Sequence, residues 1–397
     1  MDTRAEEPDG LFALPEGARV SRRRRAAPRR SQPTDVYVPL PDPVLEPQRA
    51  TAAAVPGPPL SGMEEVGTGL LDRLDMMQRV AASASPGPLL ISAGPGTGKT
   101  HTLAHRLAYL VADLGTPARE CVAVTRTPRA AAEFRGLLER LLGERAEGVT
   151  VAPLAELAGA EPWRHVFADD LHDYTAAEYE VLCGLDGEFV YVTGDADQAL
   201  GEDGPGLLER FTEGHVDTRV VRLTRNYRSL ETILAAASLL VSPVGVARSR
   251  LLQPCRRATT GQPAVQRYAA ADPAEEQGVM EELIGKLGRL GVPAAAIGVL
   301  WLDAARPVAG ATSLPLREAV GREFRVVVVP GVDASSVPMT TAGRRRLFVA
   351  LSRARDLAYL THTGPVSPLL AEIDTGLVRV YGHVPGGERQ MQQPRLL

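Results

Sequence analysis

The chain has 397 residues, enough for two ordinary domains with tails, and one undivided core would be unusual at that length. Its 44 lysines and arginines stand against 48 aspartates and glutamates, a net charge of -4, so no global basicity announces nucleic acid and any such surface has to be a local arginine-lined groove. Cys121, Cys183 and Cys255 are far apart without a C-x-x-C pair, which argues against a zinc site or disulfide framework and suits a cytoplasmic protein, while no apolar run approaches a membrane span.

In chain order, residues 1–69 are rich in Pro, Ala, Arg and Glu, with arginines at 22–25 and at 29 and 30, and read as a disordered tail. Residues 70–82 carry apolar positions at helical spacing. The run PLLISAGPGTGKTHTL over 88–103 joins a short apolar strand to a helix through a glycine-rich turn. Glycines at 94, 96 and 98 let successive N–H groups converge on an anion at the positive end of the helix. Lys99 then supplies a point charge for outer phosphates and Thr100 a hydroxyl for magnesium, the chemistry of a nucleotide loop, although Ala93 stands where the strict pattern has glycine.

Strand and helix then alternate. Strands are expected at 121–125, 165–168, 189–193 and 218–223, with helices at 128–142, 175–185 and 229–240. A compositional break over 242–263 marks a second domain, with strands at 264–269, 297–302, 325–329 and 357–361 and helices at 273–290 and 345–351. The pattern implies parallel sheets with helices on both faces and a ligand at the carboxyl ends of the strands. The expected divisions are a tail at 1–69, domains at 70–241 and 242–384, and a flexible end at 385–397.

The motifs resemble those of the superfamily 1A DNA helicases of the UvrD, Rep and PcrA type, in family order from about residue 70 to 361. LDMMQRVAA is similar to the Q motif, GPGTGKT is the phosphate loop, and VAVTRTPRAAAEFRGLL resembles motif Ia. FADDLHD stands in the place of motif II, VTGDADQ of motif III, LTRNYRSLETIL of motif IV, REAVGREF of motif V and RRLFVALSRA of motif VI. The resemblance implies two RecA-like P-loop NTPase domains that bind ATP and Mg2+ in the cleft between them. It implies that Gln78 and His101 face the adenine together with Tyr227, that Glu323 lies near the ribose, and that Gly94, Pro95, Gly96, Thr97, Gly98, Lys99 and Thr100 cradle the phosphates. Thr100 and Asp169 would hold the metal, Asp170 would position the attacking water, Gln198 would be the catalytic residue that ends motif III, and Lys99, Arg228 and Arg353 would offset the negative charge.

The implied activity is that of an ATPase and single-stranded DNA translocase or helicase core. Several positions depart from the family pattern. Asp170 replaces the usual glutamate, which points to slowed hydrolysis, while His172 replaces a glutamine and His101 an arginine with partial function kept. Arg126 replaces a phenylalanine of motif Ia, motif III lacks its aromatic, and Arg317 and Val320 stand where histidine and lysine are common. Of the two intervals used by the family for accessory insertions, the first, residues 150–164, is too short for a domain and the second is largely occupied by the core elements above. The expectation is therefore a reduced two-domain motor, needing a protein partner for unwinding, with a helicase-like ATP-binding switch of weak hydrolysis as the alternative.

Overall fold

The computed structural model describes residues 36–46, 69–157, 163–243, 252–259, 261, 263–373 and 376–384. A short strand β1 (Val36–Val38) comes first, and helix α1 (Met76–Ala82) follows. Asp75 caps α1 by accepting from the Gln78 backbone N–H at 2.9 Å, while the Gln78 side chain accepts from the Asp75 N–H at 3.1 Å. This reciprocal cap satisfies two otherwise unpaired donors and fixes where α1 starts.

The first lobe is a parallel sheet of β2 (Leu89–Ala93), β3 (Cys121–Thr125), β4 (Thr150–Pro153), β5 (His165–Ala168), β6 (Phe189–Gly194) and β7 (Arg219–Leu223), in the order β4-β3-β5-β6-β2-β7. Its helices are α1, α2 (Lys99–Ala112), α3 (Pro128–Leu142), α4 (Ala176–Cys183) and α5 (Gly204–Gly214). Alternation along the strands explains the two layers. Leu89 and Ile91 of β2 face Leu103 and Leu107 of α2 and Phe134 and Leu138 of α3, whereas Leu90 faces Leu182 of α4 and Leu207 and Phe211 of α5.

Beyond β7 the chain forms β8 (Arg225–Leu230), α6 (Glu231–Val241) and β9 (Gln253–Arg256), with β8 and β9 paired in parallel. The second lobe adds β10 (Val265–Ala269), α7 (Pro273–Arg289), β11 (Ile297–Trp301), β12 (Thr312–Pro315), β13 (Phe324–Val329), α8 (Thr341–Ser352), β14 (Ala354–His362) and β15 (Val378–Val384). Its sheet runs β1-β15-β10-β14-β13-β11-β12, parallel except where β1 meets β15. Helices α6 and α8 cover one face and α7 the other. The expected α/β fold with two parallel sheets is therefore observed.

Two expected boundaries move. Helix α6 was placed in the first domain, but Ile233, Ala236, Ala237 and Leu240 pack with Leu347, Phe348 and Leu351 of α8 in the second core. The switch of lobe thus falls between β7 and β8, before the compositional break. The tail is also not wholly without structure. Residues 36–38 form β1 against β15, Leu40 and Leu45 pack on the second core, and Glu46 accepts from the Thr259 N–H at 2.8 Å. The arginine cluster at 22–30 and the expected flexible end at 385–397 lie outside the described residues. Among the described residues, no helix is long and apolar enough to cross a membrane.

Candidate active site

The glycine-rich turn lies between β2 and α2, at the carboxyl edge of the first sheet. Gly96 has φ +66° and Gly98 φ +83°, so both occupy the left-handed region that a side chain disfavours. Gly98 is the residue before α2, and no side chain caps that end, leaving its first N–H groups directed toward the loop. A cavity of about 530 Å³ opens above it, lined by Gly94, Gly96, Thr97, Gly98, Lys99, Thr100 and His101 from the loop and α2. Asp170 and Gln198 come to it from the ends of β5 and β6, and Arg228, Gly321 and Arg353 from beyond the first sheet.

The carboxylate pair is built by strand ends. Asp169 accepts from Thr100 Oγ1 at 2.6 Å through one oxygen and from Thr193 Oγ1 at 2.6 Å through the other. Asp170 follows in a left-handed conformation, φ +50°, and its own N–H donates to Thr193 Oγ1 at 2.8 Å. That turn brings its carboxylate to 3.6 Å from Lys99 Nζ, and Oδ1 is buried without a hydrogen-bond partner. Burial, and then the charge of Asp170, push Asp169 up to about 7. Burial acts upward on Asp170 also, but Lys99, His172 and Arg353 together hold it below the usual carboxylate range. His172 accepts from the Asp195 N–H at 3.3 Å through Nδ1, so this ring orders the turn after β6.

Two arginines reach the cavity from different elements. Arg353, at the end of α8, donates from Nη2 to Gln198 Oε1 at 2.9 Å, and Gln198 Nε2 donates to Asp195 Oδ2 at 2.7 Å. Burial, and then the neighbouring Arg228, pull the Arg353 guanidinium down to about 9. Arg228, on β8, donates from Nε to Glu323 Oε2 at 2.9 Å and from Nη1 to the Ser352 carbonyl at 3.3 Å. Glu323 also accepts from Arg355 at 3.1 Å. Burial opposes ionisation of Glu323, yet Arg228 and Arg355 hold it below its ordinary range.

The sequence expectations divide at this point. Gly94, Gly96, Thr97, Gly98, Lys99, Thr100, His101, Asp170, Gln198, Arg228 and Arg353 all line the cavity. Gln78, Pro95, Asp169, Tyr227 and Glu323 do not. Asp169 sits behind Thr100, and Pro95 uses its carbonyl to accept from Asn226 Nδ2 at 2.6 Å. Gln78 and Tyr227 were expected on the adenine, but here they hold the loop from below. Gln78 Nε2 donates to the Thr97 carbonyl at 3.0 Å, Tyr227 N–H to the Gly96 carbonyl at 2.8 Å, and Tyr227 OH to Asp75 Oδ2 at 2.6 Å.

Sequence reasoning missed the outer wall, where Ala132, Glu133, Gly136, Leu137 and Arg140 of α3 line the cavity. Their spacing of three and four marks one helix face, a signal present in the sequence but indistinguishable there from a solvated surface. Asn226 was missed as well. Its Oδ1 accepts from the N–H groups of Arg228 and Ser229, at 3.1 and 2.9 Å, fixing the turn of backbone that carries Arg228.

The family described as UvrD/REP helicase N-terminal domain matches residues 74–160. The chain is similar to the ATP-dependent DNA helicase PcrA of Bacillus subtilis, 37% identical over 90 residues, which are 23% of this chain and 12% of that protein. It is similar to the ATP-dependent DNA helicase UvrD1 of Mycobacterium tuberculosis, 42% identical over 103 residues, 26% of this chain and 13% of that protein. With UvrD1 of Mycobacterium leprae the identity is 30% over 173 residues, 43% of this chain and 21% of the relative. The similarity to these relatives therefore spans at most about a fifth of their length. Among solved structures, the arterivirus nonstructural protein 10 helicase aligns with a TM-score of 0.47 and 14% identity, over 75% of this chain and 64% of that one. Over residues 74–160, in its first lobe, the chain is similar to the UvrD/Rep/PcrA-type helicases.

Proposed function

We propose that the cavity binds ATP with Mg2+ and hydrolyses it, and that the reaction drives relative movement of the two lobes along single-stranded DNA. One observation carries the reading: Lys99 from the first lobe and Arg228 and Arg353 from elements packed with the second line the same cavity, beside Asp170. With Arg140, four cations line one concave site against the carboxylates of Glu133 and Asp170, an excess of positive charge that suits an anion of several charges. The left-handed glycines beneath them leave room for phosphate oxygens against backbone N–H groups.

The donor set fits magnesium. Thr100 Oγ1 and the Asp169 carboxylate are 2.6 Å apart and both are hard oxygen ligands, the kind Mg2+ takes together with phosphate and water. Bound there, the metal would supply charge neutralisation of the phosphates during transfer. The chain's own residues account for the rest. Lys99 leaves Asp170 for the phosphate, and Asp170 orients a water for attack on the γ-phosphorus. The bond to the β,γ-bridging oxygen breaks, ADP and phosphate form, and Asp170 or bulk water takes the proton. Arg228 and Arg353 meet the charge that develops, so catalysis requires both lobes to be closed.

The DNA side has fewer anchors. Arg126 is exposed and lies 3.5 Å from Glu178, and Arg317 is exposed after β12. Guanidinium groups can stack on bases as well as bind phosphate, so these positions fit a strand that is gripped with few aromatic platforms. A protein partner would then supply the duplex-separating surface.

A second reading is favoured by the Asp170–Lys99 pair. An aspartate one methylene shorter than glutamate rests on the lysine, so the nucleotide could close the lobes with little turnover, as in a switch that presents a surface to a partner. Steady-state Mg2+-dependent ATPase activity, with and without single-stranded DNA and with Lys99→Ala as control, separates the readings. Stimulated turnover lost in Lys99→Ala supports the motor; tight ATP binding without turnover supports the switch. Absence of ATP binding sinks both.

A further inference from the structure

The residues around the Arg228 backbone contain a tie that nucleotide chemistry alone does not require. Arg256, on β9, donates from Nη1 to the Arg228 carbonyl at 2.6 Å and to the Arg355 carbonyl at 3.0 Å, and from Nη2 to Asp356 Oδ1 at 2.6 Å. Asp356 is buried, and its other oxygen accepts from Arg325 Nε at 2.8 Å. Arg325 in turn donates from Nη2 to the Glu46 carbonyl at 2.5 Å, so the strap that begins with β1 ends on the same cluster. One carboxylate thus holds two guanidinium groups, and one of them grips the peptide that carries Arg228.

We infer that Arg256, held by Asp356, is a positioning residue that sets the reach of Arg228 by fixing its carbonyl to β14. This rests on the reading of the cavity as an ATPase site. Arg228 lies on β8, whose register against β9 shifts between Asn226 and Leu230, so ladder pairing does not hold this peptide. Ser229 Oγ donates to the Ala354 carbonyl at 2.7 Å and ties β8 to β14 one residue later. Arg256 supplies the tie at residue 228 itself and joins it to residues 355 and 356, two and three positions after Arg353. The planar fork makes the geometry rigid in a way that a single ammonium donor cannot. Both arginines that face the phosphate cavity are thereby indexed to one strand, although only Arg353 is adjacent to it in the chain.

The same cluster could serve stability alone, so the test must register action through Arg228. We would measure steady-state ATPase, nucleotide affinity with a fluorescent ADP analogue and thermal stability for Arg256→Ala, Arg228→Ala and the double variant. A displacement of about 1 Å in a charge-stabilising group costs ~10² in rate. The expected result is a loss of kcat between tenfold and a hundredfold in Arg256→Ala, with ADP affinity changed less than threefold. The double variant should be no slower than Arg228→Ala, because a tie has no effect once the group it orients is gone. Should Arg256→Ala fail to fold, Arg256→Lys keeps the charge beside Asp356 but loses the fork, and the same comparison applies with a smaller loss. Effects of Arg256 and Arg228 that multiply, or unchanged kcat in a folded Arg256 variant, overturn the inference. If Arg228→Ala itself leaves hydrolysis intact, the assignment of Arg228 in the ATPase site fails instead.

Discussion

Arg353 Nη2 and Gln198 Oε1 meet at 2.9 Å across the mouth of the cavity, one from the end of α8 and the other from the turn after β6. The contact joins the first lobe to the second beside the cavity. Arg353 is buried with another cation beside it, so a neutral amide is a weak match for its charge. An incoming phosphate should compete well for it. Arg353→Ala is expected to lower kcat on the order of 10³-fold, the lower range for removing an arginine finger, with little change in ADP affinity. Gln198→Ala should cost less, about tenfold, because the arginine remains. Steady-state ATPase paired with nucleotide titration checks both.

The loop makes a steric prediction. A Cβ at residue 96 would stand 2.6 Å from Arg228 Cβ and 2.8 Å from Asn226 Nδ2, at a backbone angle that already disfavours a side chain. Gly96→Ala should therefore lose ~1–3 kcal/mol of stability through backbone strain alone, and displace Arg228 as well. Urea unfolding with and without ADP distinguishes the two effects. The variant should be less stable in both conditions and gain less from ADP than the parent does.

Asp170 sets the chemical rate if the motor reading holds. Asp170→Glu restores the missing methylene and is expected to raise kcat several-fold, while Asp170→Asn keeps the shape, removes the charge and should reduce kcat by ~10² or more. Pre-steady-state measurement of phosphate release is the suitable assay, since a step after chemistry could mask the gain. A slower Asp170→Glu enzyme would show that the surrounding turn has been fitted to aspartate.

His101 gives a pH dependence. Burial first, then His105 and Arg140, lower its pKa to about 4, so in the folded protein the ring stays neutral where the unfolded chain, at 6.5, begins to take up a proton. The unfolded state binds more protons between those values, and stability falls as pH drops from 6.5 toward 4 and is fully present above 6.5. His105, also lowered by burial, adds to the same slope. Melting temperatures from pH 4 to 7 should decline less steeply for His101→Gln than for the parent chain.

Much of this architecture could be read before any coordinates. The short apolar runs at β2, β3, β5 and β6, buried on both faces, and the glycine turn before α2 made the first sheet and its ligand edge legible, because local pattern and tertiary role coincide there. Alternation failed where the pairing is non-local. Residues 36–38 and 378–384 are unremarkable stretches whose strand character comes from each other and from β10. Helix α6 was assigned to the wrong lobe because its apolar face fits either core, and only the packing against α8 decides between them. In the cavity, Lys99, Asp170, Arg228 and Arg353 were legible from type and order, whereas Glu133 and Arg140 of α3 were not. The bonds that Gln78 makes to the Thr97 carbonyl and Tyr227 to Asp75 were not legible either, since an amide or a phenol can serve many partners equally well.

The edge pairing of β1 with β15 bears on how the molecule is made. On a ribosome, β1 leaves the tunnel early and its partner only after the whole first lobe and most of the second have been synthesised. The closure entropy of so long a loop grows only slowly with length, but the wait is real, and long-range strand pairing is slow to form. The first lobe can collapse while translation continues, whereas the second stays unfinished until its last strand arrives. A pause or truncation before residue 378 would therefore leave a chain with a formed glycine-rich loop and an open sheet edge, a species poised for aggregation or for capture by a chaperone.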